Sequence, residues 1–301
     1  MPCFNHARFL ADSVRSIMEQ TFRDLELIIV DDCSADNSWE LMCNLARTDR
    51  RIKTIRHQTN LGASRSRNGG LRAAAGEFVA FCDSDDMWEP EKVASQVNML
   101  RNNPQHEVAY CDSLIVDEEG RPTGELFSQR FPPPTPPSGW LFADLVRRNF
   151  INIQSVLMRA DCVQHSGCFD EGIKWVEDWW FLIRASRDHR FLYMETPLAR
   201  YRVHGKSTNV VRKYGYHVNR YKVFHRILKT YGDLPVSTKA EVLYKMGVDL
   251  RAIGKAHAGR RFLWNCVRLS MRDRRAFSTL WRAVARMMLK PRQELAFPCS
   301  R

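Results

Sequence analysis

The sequence predicts an α/β fold, a mixed and mostly parallel sheet flanked by helices, followed by an α-helical C-terminal extension. Three observations carry that expectation. Short aromatic and β-branched runs alternate with amphipathic helix-length segments through the first part of the chain. One such run, Phe78-Val79-Ala80-Phe81-Cys82, stops abruptly at Asp83-Ser84-Asp85-Asp86. Buried unpaired carboxylates are prohibitively costly, so the end of that strand must open onto solvent, a metal or a ligand. Beyond about Tyr214 the strand patterns cease and helical spacing continues alone.

Taken in order, Asn5 caps a helix with Leu10, Val14, Ile17 and Met18 on one face. Leu25 to Val30 is a strand closed by Asp31-Asp32, and Asp36-Asn37-Ser38 starts a helix that turns Trp39, Met42 and Leu45 inward. A short strand from Ile52 to Ile55 leads to the turn Asn60-Leu61-Gly62, then to a helix from about Ser64 to Ala75 stopped by Gly76. The run at Phe78 is the central strand. A helix from Glu91 to Arg101 and a strand from Val108 to Tyr110 follow. Asp117-Glu118-Glu119-Gly120 is a hairpin turn, and Pro132 to Pro137 an extended surface loop over the strand-end carboxylates. Ile153 to Met158 is a strand and Asp178 to Asp188 a helix. Thr238-x-x-Glu241 is a capping box before Val242, Leu243, Met246, Leu250 and Ile253.

Composition is that of a globular chain: 301 residues, 44% hydrophobic and 27% charged. No apolar run reaches the roughly 18–20 residues that span a bilayer. The opening residues lack the apolar core of a secretory leader, so a cytoplasmic location is expected. Nine scattered cysteines without a Cys-x-x-Cys suit reduced thiols rather than disulfides or a zinc site. Charge is divided: residues 211–301 hold 21 Lys+Arg against 5 Asp+Glu, whereas residues 1–210 hold 25 against 29. We therefore expect two domains, 1–210 and 211–301, the second a basic helical extension with an anionic partner.

Six motifs have to be explained together: Pro2-Cys3-Phe4-Asn5; Asp31-Asp32; Asn60-Leu61-Gly62 with Arg65-Ser66-Arg67-Asn68-Gly69-Gly70; Asp83-Ser84-Asp85; Gly167-Cys168-Phe169-Asp170-Glu171 with Glu177-Asp178-Trp179-Trp180; and Tyr201-Arg202-Val203-His204. In this order and spacing, residues 1 to about 210 resemble the family 2 glycosyltransferases of GT-A (Rossmann-like) fold. Those enzymes take a sugar from a nucleotide donor and invert the anomeric centre.

The resemblance implies a role for each motif. Asp31 and Asp32 are the candidates to read the nucleotide base. Pro2, Phe4, Asn5 and Gly62 border the donor, and Arg67 contacts its pyrophosphate. Asp83 and Ser84 lie beside the ribose, with Asp85 binding a divalent cation, Mg2+ or Mn2+, that holds the diphosphate. His204 completes the metal site or touches phosphate, with Lys206 as a further phosphate contact. Asp178 is the catalytic base, and Glu177, Trp179 and Trp180 line the acceptor. The expected function is metal-dependent transfer, from a donor most simply UDP-linked, to a glycan or lipid-linked acceptor in cell-surface polysaccharide synthesis. Two departures stand out. The family carries an apolar strand just before the first motif, where this sequence begins, and Phe4 replaces a tyrosine.

The absence of Gly-x-Gly-x-x-Gly argues against a dinucleotide enzyme. No nucleic-acid motif accompanies the basic extension, so nucleic acid is not an expected partner. A helix from Arg274 to Lys290, apolar on one side and cationic on the other, instead suggests peripheral attachment to the cytoplasmic face of a membrane. The alternatives are a non-catalytic family member that only binds nucleotide, or a protein that binds nucleic acid or an anionic surface through its basic tail.

Overall fold

A computed structural model describes residues 1–135, 137–205 and 213–270. The chain divides into two compact units, Met1–Ser207 and Thr208–Arg301. Lys206, Pro136 and the helix expected over Arg274 to Lys290 lie outside the described residues.

The first unit holds two sheets. In one, β1 (Pro2–Cys3), β2 (Leu27–Asp31) and β3 (Ile52–Arg56) pair in that order, all parallel. Every residue of β2 is buried, which is why Leu27-Ile28-Ile29-Val30 reads as an uninterrupted apolar run. The other sheet is built from β4 (Phe78–Ala80), β5 (Met87–Trp88), β6 (Val108–Val116), β7 (Pro122–Leu126), β8 (Val156–Arg159) and β9 (Phe191–Arg202). Its order is β4-β8-β6-β9-β5, with β7 also on β6. Only β6 and β9 run parallel there; the other pairs are antiparallel. The sheet system is therefore mixed: the first sheet is wholly parallel, and the second carries one long parallel ladder, β6 with β9, among antiparallel ones.

Around these strands lie α1 (Ala7–Met18), α2 (Ser38–Thr48), α3 (Ala63–Ala73), α4 (Lys92–Asn102), the short α5 (Phe127–Arg130), α6 (Phe142–Arg147) and α7 (Ala160–Ser166), and α8 (Glu177–Asp188). One hydrophobic cluster joins both sheets to their helices. It takes Leu10, Val14 and Ile17 from α1, Ile29 from β2, Val97 and Leu100 from α4, Ala109 from β6 and Leu157 from β8.

Several local expectations need correction. His6 occupies the cap position of α1, because Asn5 adopts a left-handed backbone and spends its Oδ1 on the Ala35 N–H at 2.8 Å. Helix α3 stops at Ala73, short of Gly76. The Phe78 strand keeps only three residues and lies at the edge of its sheet, antiparallel to β8, rather than at the centre. The segment from Ile153 opens as a 3-10 turn, Ile153–Ser155, before β8 begins. Of the three inward residues expected on α2, Met42 is buried, while Trp39 and Leu45 are only partly so.

The second unit's described residues form α9 (Lys213–Thr230), α10 (Val236–Ala252) and α11 (Ala256–Ser270). Thr238 is buried inside α10, whose cap position belongs to Pro235, so the expected capping box does not set that helix's start. Gly247 and Gly259 let α10 and α11 touch backbone to backbone: a Cβ on Gly259 would meet the Gly247 carbonyl oxygen at 2.8 Å. In the same unit Asp249, fully buried, accepts from Arg220 Nε and contacts His217 Nδ1 at 2.7 Å. Among the described residues, no helix is long and apolar enough to cross a membrane.

Candidate active site

Beyond β4 the chain passes through Phe81 and Cys82, both buried, before the acidic turn. That turn is fixed from several sides. The Asp86 N–H donates to the Asp83 carbonyl at 3.1 Å, and Ser13 Oγ on α1 donates to the Ser84 carbonyl at 3.0 Å. Because β5 pairs antiparallel with β9, with Met87 opposite Arg200, the end of β9 runs back along the acidic turn. Arg202 accordingly donates its backbone N–H to Asp86 Oδ1 at 2.8 Å and its Nε to the Asp85 carbonyl at 2.7 Å. Asp86 is thus a buried structural carboxyl. Burial, then the charges of Asp85 and Asp83, raise its pKa well above the ordinary value.

Two residues past Arg202, His204 sets its Nε2 3.0 Å from Asp85 Oδ2. His6 brings Nδ1 to 4.0 Å from the other oxygen, Oδ1. The ligand atoms of His6, Asp85 and His204 all lie within 4.8 Å of one another. Burial works against ionisation of Asp85, yet the His204 hydrogen bond and the nearby His6 leave its pKa lowered. A carboxylate kept ionised beside two imidazoles is a donor set that fits a divalent cation. His6 was not among the residues singled out from sequence; it lies 79 positions from Asp85, and only its place next to Asn5 hinted at the site.

Arg67, on α3, organises the other side. One Nη donates to Asp83 Oδ1 and the other to Glu177 Oε1, each at 2.7 Å. Burial opposes its charge, but Asp83, Glu177 and Asp178 raise its pKa, so the guanidinium stays protonated. Each Nη has given one of its two hydrogens to a carboxylate and Nε is buried without a partner, so Arg67 is already engaged by Asp83 and Glu177 before any pyrophosphate contact. Glu177 is itself buried and paired, which removes it as an exposed acceptor contact. Trp179 and Trp180 are likewise interior. Trp179 Nε1 donates to the Leu145 carbonyl at 2.7 Å and Trp180 is 5% exposed, so neither indole presents an open face to a sugar.

Asp178 differs from these neighbours. It is the second residue of α8, is partly exposed, and accepts from the Trp179 N–H at 2.7 Å. Burial first, and then the charge of Glu177, push its carboxyl up to about 7 against the pull of Arg67.

The base-reading candidates shape a loop instead of facing outward. Asp31 is fully buried, taking the Ser34 N–H and lying 3.3 Å from Arg56 Nε. Asp32 accepts from the N–H groups of Leu61 and Gly62 at 2.8 and 2.7 Å and meets His57 Nδ1 at 2.8 Å. Gly62 has φ +89°, a conformation strained for any other residue, at the start of α3. Pro2 is half-buried in β1, Phe4 is exposed, and Ser84 is buried with its Oγ 2.8 Å from His6 Nδ1. Among the described residues the non-glycine left-handed backbones are Asn5, Cys33 and Trp175, which flank His6, Asp32 and the Glu177-Asp178 pair respectively. Local strain held this close to ionisable groups is a mark of functional sites.

Residues 1–145 match the family model described as Glycosyl transferase family 2. The N-terminal unit belongs to this family. An uncharacterized glycosyltransferase of Haemophilus influenzae is 26% identical over 259 residues, covering 83% of this chain and 75% of that protein. The Escherichia coli UDP-Glc:alpha-D-GlcNAc-diphosphoundecaprenol beta-1,3-glucosyltransferase WfgD is 37% identical over 103 residues, 34% of this chain and 40% of its own. Three further relatives are spanned over only 46%, 39% and 31% of their lengths.

Among solved structures, S. aureus TarS 1–349 in complex with UDP-GlcNAc superposes with a TM-score of 0.63 at 16% identity, over 95% of this chain and 90% of that one. The mannosyltransferase PcManGT from Pyrobaculum calidifontis, in complex with GDP-Man and Mn2+, gives 0.62 at 18% identity, over 97% and 80%. At that identity they establish the fold, which is GT-A. In this family 2 unit the motif around Phe169 is a packing device. Asn68 donates Nδ2 to the Phe169 carbonyl at 3.0 Å and accepts its N–H at 2.8 Å, while the Phe169 ring stacks on Phe181. The clamp brings the segment leading to Asp178 against α3.

Proposed function

We propose that the chain is an inverting glycosyltransferase that moves a sugar from a nucleotide donor, UDP-linked, to a hydroxyl of a lipid-linked or glycan acceptor in cell-surface polysaccharide synthesis. The observation that carries this reading is the position of Arg67. One guanidinium ties Asp83, at the strand-end turn, to Glu177, next to Asp178, so two acidic motifs 94 residues apart in sequence form a single site. Support for the substrates comes from relatives: WfgD is named for a UDP-glucose donor and a diphosphoundecaprenol-linked acceptor, and TarS has been solved with UDP-GlcNAc.

In this reading Asp178 accepts the proton of the acceptor hydroxyl as its oxygen bonds to the anomeric carbon. The bond from that carbon to the donor phosphate breaks on the opposite face, and the nucleoside diphosphate leaves. Asp85 and His204 would hold a divalent cation, Mg2+ or Mn2+, which when bound offsets charge on the departing diphosphate. Arg67 keeps Asp83 and the α8 start in register, and its positive charge keeps Asp178 from rising beyond a useful range. The basic helical unit is its contact with an anionic membrane surface, close to a lipid-linked acceptor.

The test is calorimetry of UDP with Mn2+ on the full chain and on Asp85→Ala. The wild-type chain should bind UDP in a Mn2+-dependent way, and the variant should lose at least about tenfold in affinity, since a cation contact between Asp85 and diphosphate disappears. Binding of NAD or an oligonucleotide in place of UDP, or UDP affinity indifferent to Mn2+, would refute the reading.

A further inference from the structure

The geometry points to His6 as a third cation ligand, making a site of two imidazole nitrogens and one carboxylate that selects a first-row transition ion over Mg2+. This deepens the proposal above and rests on its assignment of Asp85 and His204 as the cation site.

The spacing fits. Ligand atoms about 2.0–2.2 Å from one cation are about 3 Å apart when adjacent and just over 4 Å when opposed. Here His204 Nε2 lies 3.0 Å from one oxygen of Asp85, His6 Nδ1 lies 4.0 Å from the other, and one ligand atom from each of the three residues falls within 4.8 Å of the other two, so a small inward shift closes the set on one ion. The three residues come from the start of α1, the acidic turn and the segment after β9, so they reach the point from separate directions.

His6 is also held in place. Its backbone N–H donates to Ser38 Oγ at 3.1 Å, its ring meets Phe9 edge-on at 6.1 Å, and Ser84 Oγ lies 2.8 Å from Nδ1. In the tautomer that carries its proton on Nε2, His6 accepts from the Ser84 hydroxyl at Nδ1, and a bound cation would take the place of that hydroxyl proton. Ser84, between Asp83 and Asp85, thereby acts as a positioning residue for the imidazole.

The donor set decides the preference. Mg2+ demands oxygen ligands in near-ideal octahedral geometry and sheds water reluctantly. Two imidazoles with one carboxylate suit borderline first-row ions, whose affinity rises from Mn2+ through Co2+. Of the three ligands, His6 is the one that converts a mixed site into a nitrogen-rich one.

The experiment uses the full chain without nucleotide. Mn2+, Co2+ and Mg2+ are titrated calorimetrically, and imidazole nitrogens coupled to bound Mn2+ are counted by pulsed electron paramagnetic resonance. The wild type should couple two nitrogens and bind Co2+ at least about tenfold tighter than Mg2+. His6→Gln should couple one, lose about tenfold in Co2+ affinity, and keep its Mg2+ affinity within about twofold. The wild-type count decides even where the variant is unstable: one nitrogen or none overturns the assignment, as does an unchanged Co2+ to Mg2+ ratio in His6→Gln. A wild type that couples one nitrogen yet binds UDP with Mn2+ removes His6 alone. One that binds neither cation nor UDP removes the transferase reading as well.

Discussion

As the proposed general base, Asp178 has to satisfy two opposing requirements: ionised at working pH, yet basic enough to take a proton. Burial and Glu177 raise it from 3.8 to about 7, and Arg67 stops the rise there. For a carboxylic acid the active form is the ionised one. Rates at sub-saturating acceptor and saturating donor should therefore climb with pH, about tenfold per unit below 7, and level off above it. A flat profile between about pH 5.5 and 8.5, under conditions where the fold is intact, would contradict this assignment. The stability sign follows from the same displacement. A folded state that holds this proton more tightly than the unfolded chain loses stability as pH rises from about 4 through about 7. Lys92 shows the same physics where sequence reading could not follow it. Glu91 and its neighbours look like an exposed helix start, yet Lys92 is fully buried, donates to Gln96 Oε1 at 2.9 Å, and is pushed down to about 8 by burial.

At the scale of elements, legibility tracked how local each signal was. The β2 run and the α1 face were readable because burial writes itself into consecutive or periodic residues, whereas the Phe78 run, half-buried at a sheet edge, shortens to three residues and stops at Ala80 before the carboxylates. Strand β9 was not, since Phe191 to Arg202 carries Glu195, Pro197 and two arginines without alternation; register shifts at Asp112 on β6 absorb the irregularity. Nothing local marks His6 as a partner of Asp85, because β9 and α1 bring the site together only in the fold. Nor does the Gly247–Gly259 contact announce itself, both glycines reading as ordinary helix weaknesses. Helix α11 carries the membrane expectation into the described residues: Leu263, Cys266 and Val267 are buried, while Arg260, Arg261 and Arg268 are exposed with Trp264 at 54%. An indole among cations suits the headgroup region of an anionic bilayer, each arginine contributing about 1 kcal/mol. The full chain should co-sediment with anionic vesicles at low salt, release at high salt, and bind about 100-fold more weakly when the three arginines are replaced by glutamine. An intact chain left in the supernatant at low salt would make this face a packing or protein-contact surface.

Across the whole molecule, charge and chemistry are separated. The unit with the candidate site belongs to residues that carry slightly more acidic than basic groups, whereas residues 211–301 carry 21 basic against 5 acidic ones. The central claim is that donor binding and proton removal are performed by different groups within one site, Asp85 with His204 on one side and Asp178 on the other. Asp178→Asn keeps the shape and removes the proton acceptor. Transfer from a UDP-sugar and UDP affinity in Mn2+ should therefore be measured side by side on the same preparation of that variant. We expect affinity to stay within about threefold while transfer falls about 10²–10⁴-fold; turnover close to that of the unsubstituted chain would contradict the assignment of Asp178 as the base.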